Sequence, residues 1–239
     1  MADGAIVVGA SSGIGEALAR ELAADGYEVG LTARRTERLK EIGAELPTKA
    51  YVATMDVTDA DRAREAFDDL VDAMQSVDLV VISAAVGHLN HDLEWEPERE
   101  TIDVNVRGFA AIATAAMTHF DDRGTGHLVG ISSVAAVFGN GGAPAYNASK
   151  AFVSTYLEGL RHRQAGRKGD VTITTVEPGF VDTDLAMGEF WMCSPETAAR
   201  QILRAVDRGR DHVYVTRRWR LVAWLLKALP ERALQRLFV

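Results

Sequence analysis

Residues Ala5 to Gly15 constrain the fold more than any other stretch, because an apolar run, AIVVG, passes without a linker into Gly9-Ala10-Ser11-Ser12-Gly13-Ile14-Gly15. A short run with every position apolar suits a strand buried on both faces, and therefore a sheet covered on both sides. The segment GEALARELAADG that follows carries apolar residues at helical spacing and ends on Gly26, a residue suited to a helix C-cap. Strand, glycine turn and helix in this order aim backbone N–H groups and the positive end of a helix dipole at one point, where a pyrophosphate can sit. The spacing Gly-x-x-x-Gly-x-Gly is one residue longer between its first two glycines than the common dinucleotide fingerprint. Taken alone, the three glycines also read as a plain tight turn.

The alternation of strand and helix continues. Apolar runs at Glu28 to Ala33, Tyr51 to Met55, Asp78 to Ser83, Gly126 to Ser132, Val171 to Glu177 and His212 to Thr216 read as strands. Between them lie TERLKEIGAEL, a segment capped by Thr58 or Asp59, Pro97 to Phe120 interrupted at Gly108, a helix opening near Tyr146, and Pro195 to Asp207. Such an order makes a parallel sheet with right-handed crossovers. With 239 residues, 47% of them hydrophobic, the chain is expected to fold as one α/β domain over 1–239. A doubly wound Rossmann type is expected, with about seven parallel strands flanked by helices.

Ligands of such sheets gather beyond the carboxyl ends of the strands. After the second strand the chain offers Thr32, Ala33, Arg34 and Arg35 where an acid would accept from a ribose 2′-OH and repel a 2′-phosphate. NADP(H) is therefore favoured over NAD(H); the alternative is two solvated charges at a helix start. Asp56 can reach an adenine amino group or simply finish its strand, and Ala84 and Ala85 leave room for a flat ligand. The stretch SSVAAVFGNGGAPAYNASK, residues 132–150, holds the densest chemistry. Pro144 pre-sets a helical φ, which puts Tyr146 and Lys150 at i and i+4 on one helix face. At that spacing the ammonium is expected to lower the phenol's pKa, so that Tyr146 exchanges a proton near neutral pH.

Composition excludes several classes. A formal charge of −8 argues against a nucleic-acid partner. The single cysteine, Cys193, rules out an internal disulfide and a cysteine metal cage, and suits a reducing interior. No window reaches the roughly 18 apolar residues of a membrane span. The amino terminus, MADGAIVVGA, lacks the basic and long apolar regions of a secretion signal, so a cytoplasmic, soluble protein is expected. His88, Asn90, His91 and Asp92 share a loop without the ligand context of a metal site, and no metal is expected. Scarce lysine among many acids suits either a salt-rich cell or a GC-rich genome.

These residues together resemble the classical short-chain dehydrogenase/reductase family along nearly the whole chain. Its cofactor motif matches Gly9, Gly13 and Gly15, and its Tyr-x-x-x-Lys matches Tyr146 and Lys150. The active-site serine, thirteen residues before the tyrosine, is Ser133, and the helix asparagine is Asn105. The family's Pro-Gly segment is similar to Pro178-Gly179-Phe180-Val181-Asp182-Thr183. One motif departs: Asn-Asn-Ala-Gly after the fourth strand reads Ile82-Ser83-Ala84-Ala85, which removes two amides that usually steady this strand. The resemblance implies reversible hydride transfer between a nicotinamide and a carbonyl/alcohol pair. Tyr146 would give the proton and Ser133 hold the substrate oxygen. Lys150 would also bind the nicotinamide ribose, and Asn105 would position a water linking Lys150 to solvent. Cofactor contacts are expected from Gly9, Ser11, Ser12, Gly13, Ile14, Gly15, Arg34, Arg35, Asp56, Val57, Ala84, Ala85, Tyr146, Lys150, Pro178, Gly179, Val181 and Thr183. A homodimer or homotetramer built on the long helices after Pro97 and Tyr146 is also implied.

Residues 184–194 are expected to form a substrate lid over the site. Leu185, Met187, Phe190 and Trp191 in it favour an apolar small-molecule carbonyl or alcohol, although such residues also serve as core or dimer contacts. The tail, 217–239, is basic and amphipathic, with a helix broken near Pro230. Three places stay open for it: across the lid, against another subunit, or on a lipid surface, the last not favoured. Two other functions fit the fold. A catalytically idle dinucleotide-binding sensor would not need Ser133, Tyr146 and Lys150 together, and a sugar-nucleotide epimerase or dehydratase normally needs a larger carboxyl-terminal region.

Overall fold

A computed structural model describes residues 3–237 of the chain. Seven strands form one parallel sheet in the order β3-β2-β1-β4-β5-β6-β7. They are β1 (Gly4–Val8), β2 (Glu28–Ala33), β3 (Ala50–Thr54), β4 (Leu79–Ile82), β5 (Thr125–Ile131), β6 (Asp170–Pro178) and β7 (His212–Val215). The helices are α1 (Gly13–Ala24), α2 (Thr36–Glu45), α3 (Ala60–Ala73), α4 (Trp95–Ile102), α5 (Phe109–Arg123), α6 (Pro144–Ala165), α7 (Pro195–Val206), α8 (Trp219–Ala228) and α9 (Glu231–Leu237).

The central strands read as unbroken apolar runs because both sheet faces are covered. Side chains alternate across a strand, so Ile6 and Val8 join Val80, Ile82, Phe67, Phe109, Ile112 and Phe120 in one core. Ala5 and Val7 join Leu79, Val81, Leu18, Leu22, Leu39, Ile42 and Ile202 in the other. Removing the apolar side chains of either set from water supplies the main driving force, at about 25 cal/mol per Å² buried. The strand order reverses direction between β1 and β4, which opens a crevice above their carboxyl ends.

Most boundaries fall within a residue or two of the sequence expectation, and Asp59, one of the two candidate caps, accepts from the Arg62 N–H at 3.3 Å. One element differs in kind. The helix expected from Pro97 to Phe120 divides into α4, a π-helical turn over Asp103–Gly108, and α5. The wider turn carries Asn105 buried toward the loop after β4, and Gly108 lets the helix pass against Val57, whose main-chain oxygen lies 2.6 Å from where a Cβ would stand. Pro230 separates α8 from α9 as its missing N–H requires. The last two residues of the tail, 238–239, lie outside the described residues.

Candidate active site

One end of the site is built from main-chain bonds around the glycine turn. Gly9 adopts φ +89°, in the region open to glycine. Its N–H and that of Ala10 both donate to the Thr32 oxygen, at 2.8 and 3.0 Å. A Cβ on Gly9 would stand 2.5 Å from the Ala84 nitrogen, so the turn lies directly on the exit of β4. Gly15 differs from the cofactor contact expected of it and serves the close helix packing of the motif's third glycine. It does not line the cavity; a Cβ there would meet the Gly9 oxygen at 2.1 Å, so Gly15 lets α1 close on the turn.

Arg35 reaches back over this turn. Its guanidinium donates to the Ser11 hydroxyl at 3.0 and 3.2 Å, to the Ser11 carbonyl at 3.2 Å and to the Ser12 hydroxyl at 2.8 Å. Arg34 faces Asp56 instead. Burial tends to raise the Asp56 carboxyl, but bonds from the Thr58 hydroxyl and N–H, with the Arg34 charge, hold it below the usual carboxylate range.

At the other end, β5 delivers Ser133 and α6 delivers Tyr146 and Lys150, with Pro144 in the first turn as expected. The Ser133 Oγ accepts from the Ala135 N–H at 3.1 Å and hydrogen-bonds the Tyr146 phenol. Lys150 is buried, with Nζ donating to the Ile131 oxygen at 3.1 Å and lying 5.7 Å from the Tyr146 ring centroid. The charge balance corrects the sequence expectation. Burial pushes the Tyr146 phenol above its ordinary value, with the Ser133 bond opposing it, and burial alone brings Lys150 down to about 8. Both groups leave water, which penalises the charged form of each, phenolate and ammonium alike.

A polar chain fixes the turn of α6 that carries Lys150. The Ser132 hydroxyl donates to the Lys150 oxygen and pairs with Ser154, both at 2.8 Å, and Ser154 donates to Glu177 at 2.7 Å. His212 reaches Glu177 at 3.2 Å. The Asn105 carboxamide accepts from the Val86 N–H at 2.9 Å and donates to the Val86 oxygen at 2.7 Å and to Ser149 at 3.0 Å. It therefore ties the loop after β4 to α6. Where the family's amides are missing, the main-chain N–H groups of Ser83 and Ala84 both donate to the Val8 oxygen at 2.8 Å and Asn105 holds Val86.

One cavity of about 840 Å³ joins the two ends. All the expected cofactor residues line it except Gly15, as do Ser133, Leu185, Met187 and Phe190. Asn105 and Trp191 do not. Trp191 stacks on Phe190 with centroids 4.5 Å apart and lies under the Arg218 guanidinium, 5.1 Å away, so it braces residues 184–194 from outside. His88 also lines the cavity, with its Nε2 3.0 Å from Glu100. The sequence reading missed Leu89, Val134, Phe138, Trp219, Val222 and Leu226. The last three lie at i, i+3 and i+7 on α8, a helical stripe visible in the sequence whose position was not. Trp219 is buried against Phe180, Phe190 and Trp191 with rings at steep angles. Its indole lies 2.0 Å from where a Cβ on Gly179 would stand, which gives the Pro-Gly segment a packing reason for its glycine.

Comparison with known proteins agrees with this geometry. The short chain dehydrogenase family matches residues 3–192. An uncharacterized oxidoreductase of Mycobacterium tuberculosis is 34% identical over 97% of this chain and 95% of its own length. The "Probable NADP-dependent dehydrogenase" of Haemophilus influenzae is 31% identical over 73% of this chain and 70% of its own length. In fold, the chain superposes on a short chain dehydrogenase/reductase from Burkholderia phymatum, in complex with NAD, with a TM-score of 0.86 at 19% identity, covering 94% of this chain and 92% of that one. Parallel sheet, glycine turn and family match lead to one conclusion: the chain belongs to the short-chain dehydrogenase/reductase family and is an NAD(P)-dependent oxidoreductase.

Proposed function

We propose that the protein moves a hydride between NADP(H) and a neutral, apolar carbonyl/secondary-alcohol pair. The observation that carries this reading is the convergence of Ser133, Tyr146 and Lys150 in a cavity with arginines at one end and apolar walls at the other. The cavity suits the cofactor: it runs from Arg34, Arg35 and the glycine turn, past Asp56 and Val57, between Ala84–Ala85 and Pro178–Thr183, to Lys150. When bound, the nicotinamide supplies or accepts the hydride. Ser133 holds the substrate oxygen, and Tyr146 Oη gives it a proton in the reductive direction and removes one in the other. Lys150 gives positive charge to the phenolate left behind, and Asn105 fixes the loop that borders the reacting centre.

Cofactor preference rests on the two arginines. Arg35, already fixed by Ser11 and Ser12, and Arg34 present guanidinium groups that match a 2′-phosphate. The printed name of the Haemophilus relative points the same way. Substrate class rests on the opposite wall. Val86, Leu89, Val134, Phe138, Leu185, Met187, Phe190, Trp219, Val222 and Leu226 contribute no cation, and the cationic side chains among the lining residues are Arg34, Arg35 and Lys150. A carboxylate or sulfonate on the substrate would lie against these apolar side chains, and the imidazole on that wall, His88, is already paired with Glu100. Residues 184–194 act as the lid. Assembly as a homodimer or homotetramer through α5 and α6, where Phe152 stacks on a half-buried Tyr156, and a cytoplasmic setting complete the proposal.

The test is a panel of ketones, aldehydes, steroids and 3-oxoacyl thioesters followed at the nicotinamide absorbance with both cofactors. NADPH consumption with the neutral apolar members is expected; no turnover of any member while NADPH still binds would favour the idle sensor.

A further inference from the structure

The helix that walls the substrate end has a second apolar face, left exposed by the described residues. Trp219 and Ala223 are buried, and Val222 and Leu226 line the cavity. On the opposite side, Leu221, Trp224 and Leu225 are 71%, 72% and 55% exposed. At i, i+3 and i+4 these three form one stripe. Leucine and tryptophan side chains left this open forgo the stabilisation of burial, so a contiguous stripe of them marks a contact surface.

Charge indicates what that surface meets. The chain carries 26 basic and 34 acidic residues, yet the segment 217–236 holds Arg217, Arg218, Arg220, Lys227, Arg232 and Arg236 against Glu231 alone. A second copy paired across a two-fold axis would set this positive segment against its own like. An anionic lipid surface is complementary to it, and a tryptophan beside leucines flanked by cations suits the headgroup boundary. No helix among the described residues is long and apolar enough to cross a membrane, so the contact is peripheral. The cavity mouth adds a further observation, because Leu89 and Phe190 line the cavity and are also 60% and 57% exposed.

We infer that the outer face of α8 docks on an anionic lipid surface, so that the inner face of the same helix admits apolar carbonyl compounds dissolved in the lipid. The docking stands apart from the chemistry; the delivery of substrate rests on the oxidoreductase reading.

The test is flotation of the full chain with phosphatidylcholine vesicles, with and without phosphatidylglycerol. Wild type is expected to float with the anionic vesicles and not with the neutral ones. The double variant Trp224→Ser/Leu225→Ser and the charge variant Arg220→Glu/Lys227→Glu are each expected to lose about tenfold or more in vesicle affinity. Both variants should keep wild-type NADPH affinity and wild-type consumption with a water-soluble ketone, since the altered residues do not line the cavity. Wild type that stays in the aqueous layer with both vesicle types overturns the docking. So does a dimer that fails to float and is split by Trp224→Ser/Leu225→Ser, which would assign the face to a second copy. Docked protein with no ketone turnover would instead strike the oxidoreductase reading alone.

Discussion

The two ends of the cavity are built on opposite principles. The cofactor end is main chain and charge: Gly9 and Ala10 share the Thr32 oxygen, and Arg35 spans two serine hydroxyls. The substrate end is side-chain packing, with Phe180, Phe190, Trp191 and Trp219 leaning on one another and α8 closing the wall. A hydrogen-bonded turn tolerates few alternatives, whereas a packed apolar wall accepts volume-conserving changes.

The largest effect should come where the two ends meet. Tyr146→Phe is expected to lower turnover by about 10² to 10⁴ while NADPH affinity by fluorescence titration stays within twofold of wild type, roughly 0.4 kcal/mol. Turnover near the wild-type rate would remove Tyr146 as the proton donor. At the substrate end, Trp219→Ala should reduce stability by about 3–5 kcal/mol in chemical denaturation. If the variant stays folded, KM for an apolar ketone should rise far more than the dissociation constant of NADPH. Equal losses at both ends would mean the wall and the turn are one unit.

At the cofactor end, Arg35→Ala should weaken NADPH by about 1.5–3 kcal/mol, the scale of a charge-assisted bond, and NADH much less. Arg34→Ala should act in the same direction. Equal losses for the two cofactors would sink the phosphate assignment. A separate effect concerns Lys150. Its folded pKa, about 8, lies below the ordinary 10.5. Between these values the unfolded chain binds more protons than the folded one, so the lysine's burden on stability is complete below pH 8 and relieved as pH rises to 10.5. Lys150→Met should flatten that pH dependence in urea titrations and be no less stable at pH 7, while losing turnover. An unchanged pH slope would mean the lysine is not buried as described.

The same contrast explains what was legible in the sequence. The glycine turn, Arg34-Arg35, Ser133 and the Tyr146–Lys150 pair could be read because each stands in a recognisable spacing or at the end of a strand, even though Arg35 finds its partners Ser11 and Ser12 on another segment. The role of Gly15 could not, since it depends on the approach of α1 to the Gly9 oxygen. Asn105 could be picked out as an anomaly in a helix, but its partners Val86 and Ser149 come from two other segments. The helical stripe Trp219, Val222, Leu226 was equally visible. Its target was not, because nothing local says that α8 returns to the Pro-Gly segment. Trp191 departs from the expected substrate contact for the converse reason: an aromatic in a lid lies toward either side, and this one packs under the Arg218 guanidinium and off the cavity wall. The shift of the Tyr146 phenol was likewise hidden, since spacing reports the nearby ammonium and not the loss of water around both groups.

The most direct measurement is kcat/KM for four combinations: NADPH or NADH, each with a neutral apolar ketone or its carboxylated analogue of equal length. Two independently built ends predict two independent preferences, NADPH over NADH with either substrate and the neutral ketone over the carboxylate with either cofactor. Comparable values for the carboxylate and the neutral ketone, or no preference for NADPH, would contradict the account.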